Sequence, residues 1–177
     1  FPFRIRGFHS DNGSEFINHN VAAMLERLLV RNFTKSRANR TTDNALVEGK
    51  NGAVVRKQIG CGWISRRHAE DFETFYRRWL NPYLNYHRPC GFARIQTGKR
   101  GQRKRIYRQE DYATPYEKLC SLVNWESHLK EGLSAAQLAQ LAMAHSDTEF
   151  ARQMQKAKHQ LLSRVRREER MPPGQTA

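Results

Sequence analysis

Within the first 35 residues, the spacing of apolar side chains changes from that of a strand to that of a helix and back again. This order strongly limits the folds that the chain can adopt. Apolar residues alternate over residues 3–9, and residues 31–35 also have strand character. Residues 20–29 between them carry apolar side chains at helical spacing, namely Val21, Met24, Leu25 and Leu28. Two further helices are predicted over residues 43–59 and 69–86. The order β-α-β-α-α predicts an α/β sandwich.

The second half of the chain is predicted to be mainly helical. The helix over 69–86 has an apolar stripe of Phe72, Phe75, Trp79, Leu80 and Tyr83, and Pro82 predicts a kink or a break in it. Residues 134–137 and 146–149 match the capping-box pattern, which predicts helices that run to about residues 144 and 169. The apolar stripe of the last helix is Phe150, Met154, Ala157, Leu161 and Val165.

The chain is strongly basic. Its 31 Lys and Arg against 17 Asp and Glu give a formal charge of +14. Six cations fall in ten residues around Gly98 and Gly101, where segments 94–97 and 105–107 are predicted to pair as a short hairpin. No stretch is long and apolar enough for a transmembrane helix. The spacing of Cys61, Cys90 and Cys120 suggests neither disulfides nor a zinc site, and we expect reduced, mostly buried thiols.

Two polar motifs stand out from this background. In the first, Asp11 follows the predicted first strand and precedes Asn-Gly, so a carboxylate sits at the end of a rigid element beside a tight turn. In the second, Asn44, Glu48 and Asn51 fall at i, i+4 and i+7 and form one helical stripe. Each motif alone is also compatible with an ordinary polar turn or an exposed helix face.

Together the two motifs resemble the integrase core of insertion-sequence transposases and retroviral-type integrases, the DDE recombinases of the RNase H-like fold. His-Ser-Asp-Asn-Gly-Ser-Glu-Phe at 9–16 and Asp-Asn-Ala-Leu-Val-Glu-Gly-Lys-Asn-Gly at 43–52 are similar to that family's second and third acidic motifs. The 36 residues from 12 to 47 that separate Asp11 from Glu48 are close to the usual spacing. Residues 80–89 resemble the end of bacterial transposase cores, and residues 114–117 resemble the region downstream.

This resemblance implies a partial RNase H-like fold within the α/β class. It implies the C-terminal part of an integrase catalytic core over residues 1–92, then a basic β-hairpin or linker over 93–112 and a helical C-terminal extension over 113–177. The implied function is DNA integration or transposition by metal-dependent phosphodiester cleavage and strand transfer. The implied partners are transposon ends, target DNA and further copies of the same chain, and no membrane. The implied location is the nucleoid in a bacterial cytoplasm.

The resemblance also assigns roles to the two motifs. Asp11 and Glu48 are expected to be catalytic and to hold two Mg²⁺ or Mn²⁺ ions, because hard cations prefer carboxylate oxygens. Asn44 and Asn51 are expected to support them by orienting water or phosphate. The family's triad begins with another Asp on an earlier strand, whereas residues 1–10 contain no acidic residue. We therefore expect a partial sequence or a catalytic remnant, and the sequence leaves open whether this chain is itself an enzyme.

DNA binding is expected from nine cations. The candidates lie in the loop after the second strand, on the predicted Glu48 helix and in the predicted hairpin: Arg37, Arg40, Lys50, Lys57, Lys99, Arg100, Arg103, Lys104 and Arg105. Two other functions remain open. One is an RNase H-like nuclease, which cuts without joining, and the other is a nucleic-acid-binding remnant without catalytic activity.

Overall fold

The computed structural model describes residues 3–10, 18–37, 51–98 and 101–170. Over these ranges the chain combines helices with short two-stranded sheets, an α/β composition. It divides into two units: unit 1 comprises Phe1–Ile64 with His128–Glu131, and unit 2 comprises Ser65–Ser127 with Gly132–Ala177. The sequence-based division into a core over 1–92, a hairpin or linker over 93–112 and an extension over 113–177 stays a prediction.

Unit 1 is built on a strand-helix-strand element. Strand β1 (Gly7–Ser10) lies parallel to β2 (Asn32–Lys35). Gly7 pairs with Asn32 and Ser10 pairs with Lys35. Helix α1 (His19–Arg27) connects them and begins after Asn18, whose side chain accepts a hydrogen bond from the Val21 amide. The predicted order of strand, helix and strand is confirmed.

Helix α2 follows in unit 1. It consists of a π-helical segment, Asn51–Arg56, and one α-helical turn, Lys57–Ile59. Residues 43–50 of the predicted helix lie outside the described residues, and the remaining residues are helical as predicted. The helix ends at Gly60, which has a φ of 94°, a backbone conformation that favours glycine.

Helix α3 of unit 2 does not break at Pro82. It comprises a 3₁₀ turn Arg66–His68, an α-helical segment Ala69–Phe75 and π-helical segments Tyr76–Leu80 and Tyr83–His87. Pro82 lies between the two π segments with φ −59° and ψ −44°, which are helical values that its ring permits. Because wide turns lie on both sides, the chain passes a residue that lacks an N–H without ending the helix. Of the predicted kink or break, the break is therefore wrong, because the helix continues through π-helical turns on both sides of Pro82.

The core of unit 2 lies between α3 and α6 (Asp147–Arg170). The two helices run antiparallel, since His68 near the start of α3 contacts Glu169 near the end of α6, whereas His87 at the end of α3 contacts Asp147. Helix α5 (Ala135–Met143) adds to this core. The buried apolar residues are Phe72, Phe75, Leu80, Leu138, Phe150, Met154, Leu161 and Val165. These include most of both predicted stripes.

Short strands, turns and a helix lie between α3 and α5 along the chain. Strands β4 (Arg94–Thr97) and β5 (Arg103–Ile106) form an antiparallel hairpin. The short strands β3 (Cys90–Gly91) and β6 (Tyr112–Ala113) pair beside a 3₁₀ turn, Gln109–Asp111. Helix α4 (Pro115–Cys120) begins with a capping box between Thr114 and Glu117. A 3₁₀ turn, Trp125–His128, leads toward α5.

The three cysteines differ in their exposure to solvent. Cys61 is exposed between Gly60 and Gly62, beyond the end of α2, and Cys90 and Cys120 are half-buried, so the expected burial is wrong. All three thiols are free, as expected. Over the described ranges, every helix is too short or too polar to cross a membrane.

Candidate functional site

The carboxyl ends of β1 and β2 meet at one edge of the parallel pair. Ligands of α/β proteins bind at such an edge, because the chain leaves the sheet there and frees space beside the strand ends. Ser10 is the last residue of β1, so Asp11 is the first residue beyond this edge. The sequence-based prediction of Asp11 after a strand is confirmed, while Asp11 itself lies outside the described residues.

A hydrogen-bonded cluster crosses the two strands at this edge. The His9 ring has Nδ1 2.9 Å from Thr34 Oγ1 and Nε2 3.2 Å from Ser36 Oγ. The Ser36 amide also donates to the Ser10 carbonyl over 2.9 Å, which extends the pairing one residue beyond β2. Because both ring nitrogens are engaged, the imidazole is held in one orientation at the strand ends.

Ser10 differs from the other residues of this edge. Its side chain is buried, yet its Oγ has no hydrogen-bond partner among the described residues. A buried hydroxyl without a partner is uncommon and calls for an explanation. Here it directly precedes the carboxylate that the sequence motif singles out, which makes the edge of β1 the best-supported place for a ligand in unit 1.

The other residues of the predicted catalytic site are less completely described. Asn44 and Glu48 lie outside the described residues, and Asn51 is the first described residue of α2. Among the described residues, to which Asp11 and Glu48 do not belong, no group of three or more His, Cys, Asp and Glu could hold a metal ion. Two carboxylates, one of them at the end of a parallel strand, are donors of the type that suits Mg²⁺ or Mn²⁺.

The predicted cations fall in both units. Arg37 follows β2, and Lys57 is exposed on α2. Arg40, Lys50, Lys99 and Arg100 lie outside the described residues. The structure brings Arg103, Lys104 and Arg105 together on β5, where all three are exposed.

The hairpin that carries these cations is well defined. Thr97 pairs with Arg103 and Arg94 with Ile106, so the second arm begins two residues earlier than the sequence predicted. The Gly98 amide donates to the Gln102 carbonyl over 2.8 Å, and Gly101 has a φ of 73°, which explains the glycine there. A two-stranded ribbon of this kind is one of the elements that the major groove of DNA accepts.

Acidic residues are confined to the base of the hairpin. Arg94 Nε donates to the Asp111 carboxylate and Arg94 also contacts Glu110, 3.4 Å away. A hydrogen bond from the Arg108 amide and the nearby Arg94 hold the pKa of Asp111 below its usual value, while its burial opposes this. Among the described residues, no carboxylate pairs with Arg103, Lys104 or Arg105. The positive charge of β5 is therefore not neutralised within the described part of the chain.

Sequence reasoning did not find the hydrogen-bonded cluster of His9, Thr34 and Ser36. Its members are 25 and 27 residues apart in the chain, and only the parallel register brings them together. The sequence does contain a signal for this cluster, because both strands end in polar residues. These are His9 and Ser10 in the first strand and residues 34–36 at the end of the second.

Comparison with known proteins adds one partial similarity. A stretch of 62 residues is 45% identical to the Uncharacterized protein y4rM of Sinorhizobium fredii (strain NBRC 101917 / NGR234). The match covers 35% of this chain, and the chain spans 17% of the length of that protein. No protein-family model matches the chain. No solved structure matches it either.

Proposed function

We propose that this chain contains the C-terminal part of an integrase catalytic core of the RNase H-like fold, as found in the DDE transposases of bacterial insertion sequences. The observation that carries the proposal is the place of the Asp-Asn-Gly motif, directly after the carboxyl end of a parallel strand. The second motif ends within α2, and its Glu48 lies three residues before Asn51, the first described residue of that helix. The uncompensated cations of β5 add a surface suited to a polyanion.

The proposed reaction is cleavage and rejoining of DNA. In strand transfer, a 3′-hydroxyl attacks a phosphodiester, one P–O bond forms and another breaks, and the departing 3′ oxygen receives a proton. The number of phosphodiester bonds is conserved, so the step needs no other source of energy.

The two acidic motifs would supply the metal ligands for this reaction. Asp11 and Glu48 would hold Mg²⁺ or Mn²⁺, and Asn44 and Asn51 would orient water or phosphate. When bound, two such ions lower the pKa of the attacking hydroxyl and neutralise charge on the phosphate. The family pattern also requires an Asp that residues 1–10 do not provide.

DNA binding is the part of the proposal that the described residues support most directly. Arg103, Lys104 and Arg105 form a short, exposed cationic strand without carboxylate partners in the described structure. Cations that contact phosphates release counterions, so the affinity should fall steeply as salt is added. Such contacts position DNA without reading its sequence. Joining two transposon ends would require more than one copy of the chain.

The experiment begins with the reading frame upstream of the Phe1 codon. If that frame is open and encodes an Asp at the end of a predicted strand, the protein from the whole frame is assayed for Mg²⁺-dependent cleavage and joining of labelled DNA. Glu48→Gln should abolish both activities and leave DNA binding nearly unchanged. Glu26→Gln, the same chemical change on the exposed surface of α1, is the control.

The outcomes separate the three candidate functions. Joined products support the transposase, whereas cut products without joining would indicate the RNase H-like nuclease. Salt-sensitive DNA binding without cleavage, together with a stop codon directly upstream, would leave a DNA-binding remnant. The proposed metal site would be wrong if Glu48→Gln cleaved DNA as the unmodified protein does.

A further inference from the structure

Two tyrosines lie side by side at the base of the basic hairpin. Tyr107 directly follows β5 and Tyr112 begins β6, and their ring centroids are 6.4 Å apart with an angle of 44° between the planes. Tyr107 is 49% exposed and Tyr112 is 55% exposed. Isolated exposed aromatic side chains are ordinary on protein surfaces, but here two adjoin each other next to a cluster of cations.

Both tyrosine rings pack against Gly91. Gly91 pairs with Tyr112 between β3 and β6. A Cβ at this position would lie 2.8 Å from Tyr107 Cδ1 and 3.3 Å from Tyr112 Cε1. Any other residue would therefore push the Tyr107 ring away. The absence of a side chain lets both rings rest against the backbone of β3, while each tyrosine keeps about half of its residue surface exposed.

Cations outnumber acids around the tyrosines, since residues 103–112 hold four cations and two acids. Arg103 and Arg105 share one face of β5, about 6.6 Å apart by strand geometry, and Tyr107 is the next residue of that alternation. The two nearby acids are already paired, Asp111 with Arg94 and Glu110 with Arg94 and Arg108.

A further cation lies over Phe92, the residue after Gly91. Lys118 Nζ is 5.4 Å from the centre of the Phe92 ring, and Phe92 is the residue next to Gly91. Aromatic rings next to a run of cations are suited to bases joined by a phosphate backbone.

We propose that Tyr107 and Tyr112 form a stacking platform for unpaired bases of a DNA strand whose phosphates follow the cations of β5. This inference rests on the proposed DNA binding and extends it to a preference for single strands. Bases of an intact duplex are stacked on one another and offer no free face, so only an unpaired strand can use both the rings and the cations.

The test compares single-stranded and duplex DNA. Binding of a labelled oligodeoxythymidylate and of a duplex of equal length is measured by fluorescence anisotropy with the full 177-residue chain. The double variant Tyr107→Leu/Tyr112→Leu removes both rings and keeps apolar side chains. The matched control, Tyr107→Phe/Tyr112→Phe, keeps the rings. Affinity for the single strand should fall about tenfold per ring in the leucine variant, stay near normal in the phenylalanine variant, and be unchanged for the duplex in both.

A second variant covers the case in which the leucine variant does not fold. Gly91→Ala keeps both tyrosines but displaces the Tyr107 ring, and it should also weaken binding of the single strand selectively. Circular dichroism and the melting temperature report the folded state of each variant. Equal losses for single strand and duplex, or no loss for either, would overturn the stacking platform while DNA binding stands. If the unmodified chain binds neither the single strand nor the duplex, the proposed DNA binding is wrong, and this inference is wrong with it.

Discussion

His87 and Asp147 join the end of α3 to the start of α6 in unit 2. His87 Nδ1 lies 3.0 Å from Asp147 Oδ1, although the residues are 60 positions apart in the sequence. The His87 ring is buried and stacks on Phe150, with centroids 4.3 Å apart. Asp147 is the first residue of α6, so this contact and the stacking on Phe150 together hold the start of α6 against the end of α3.

Replacing Asp147 with Ala should lower the free energy of unfolding by about 1–2 kcal/mol, because the buried His87 ring loses its hydrogen-bond partner. Urea denaturation measures this change. Asp147→Asn keeps an acceptor and should cost less. Glu149→Ala is the control, since Glu149 is also in the first turn of α6 but its ion pair is with exposed His145. Equal losses for Asp147→Ala and Glu149→Ala would contradict this role.

The core of unit 2 should be most sensitive at Met154, whose side chain is 0% exposed. Met154→Ala removes buried apolar atoms and leaves a cavity, at a cost of about 2–5 kcal/mol. Met143→Ala makes the same chemical change at a side chain that is 81% exposed, and should have little effect. Thermal melts of the two variants give the comparison. Similar melting temperatures would show that α6 does not pack as described.

The stability at the base of the hairpin should depend on acid. The pKa of Asp111 is lowered in the folded protein, chiefly by the hydrogen bond from the Arg108 amide. Its contribution is therefore fully present above the ordinary Asp pKa and is lost as the pH falls through the lower, folded value. Asp111→Asn should reduce the melting temperature at neutral pH, and the difference from the unmodified protein should shrink below about pH 4. A difference that is constant from neutral pH to pH 2 would contradict this linkage.

DNA binding should depend on where the cations lie and not only on the total charge. Lys104→Gln/Arg105→Gln should weaken binding to all sequences and reduce the slope of log affinity against log salt by about 2. Arg166→Gln/Arg170→Gln removes the same charge from exposed positions on α6 and is the control. Equal changes in both variants would mean that net charge, and not the hairpin, governs binding.

Local signals in the sequence predicted the elements of the fold well. The Ser134 capping box starts α5, and the helical stripe from Phe150 to Val165 is the buried face of α6. Such signals depend on residues three or four apart, which interact within one helix. The pairing of β1 with β2 was not specified by the sequence, because it depends on contacts between residues 25 positions apart.

Contacts between distant residues account for most of what the sequence did not predict. His68 is buried against Glu169, 101 positions away, and neither residue has a local pattern that indicates the other. The continuation of α3 through Pro82 was also not predicted, because it involves the π-helical turns on both sides of the proline and a helix packed against the distant α6. For the site, the sequence predicted that Asp11 follows a strand, but not the polar cluster beside it.

The antiparallel pairing of α3 and α6 has a consequence for synthesis of the chain. Residues 66–87 leave the ribosome well before 147–170, and at about 5–20 residues per second the delay lasts several seconds. During this interval Phe72, Phe75 and Leu80 have no partner helix. The nascent chain therefore presents an aromatic surface that a chaperone can bind. A stop codon placed before α6 would leave that surface permanently uncovered and yield an aggregating or rapidly degraded product.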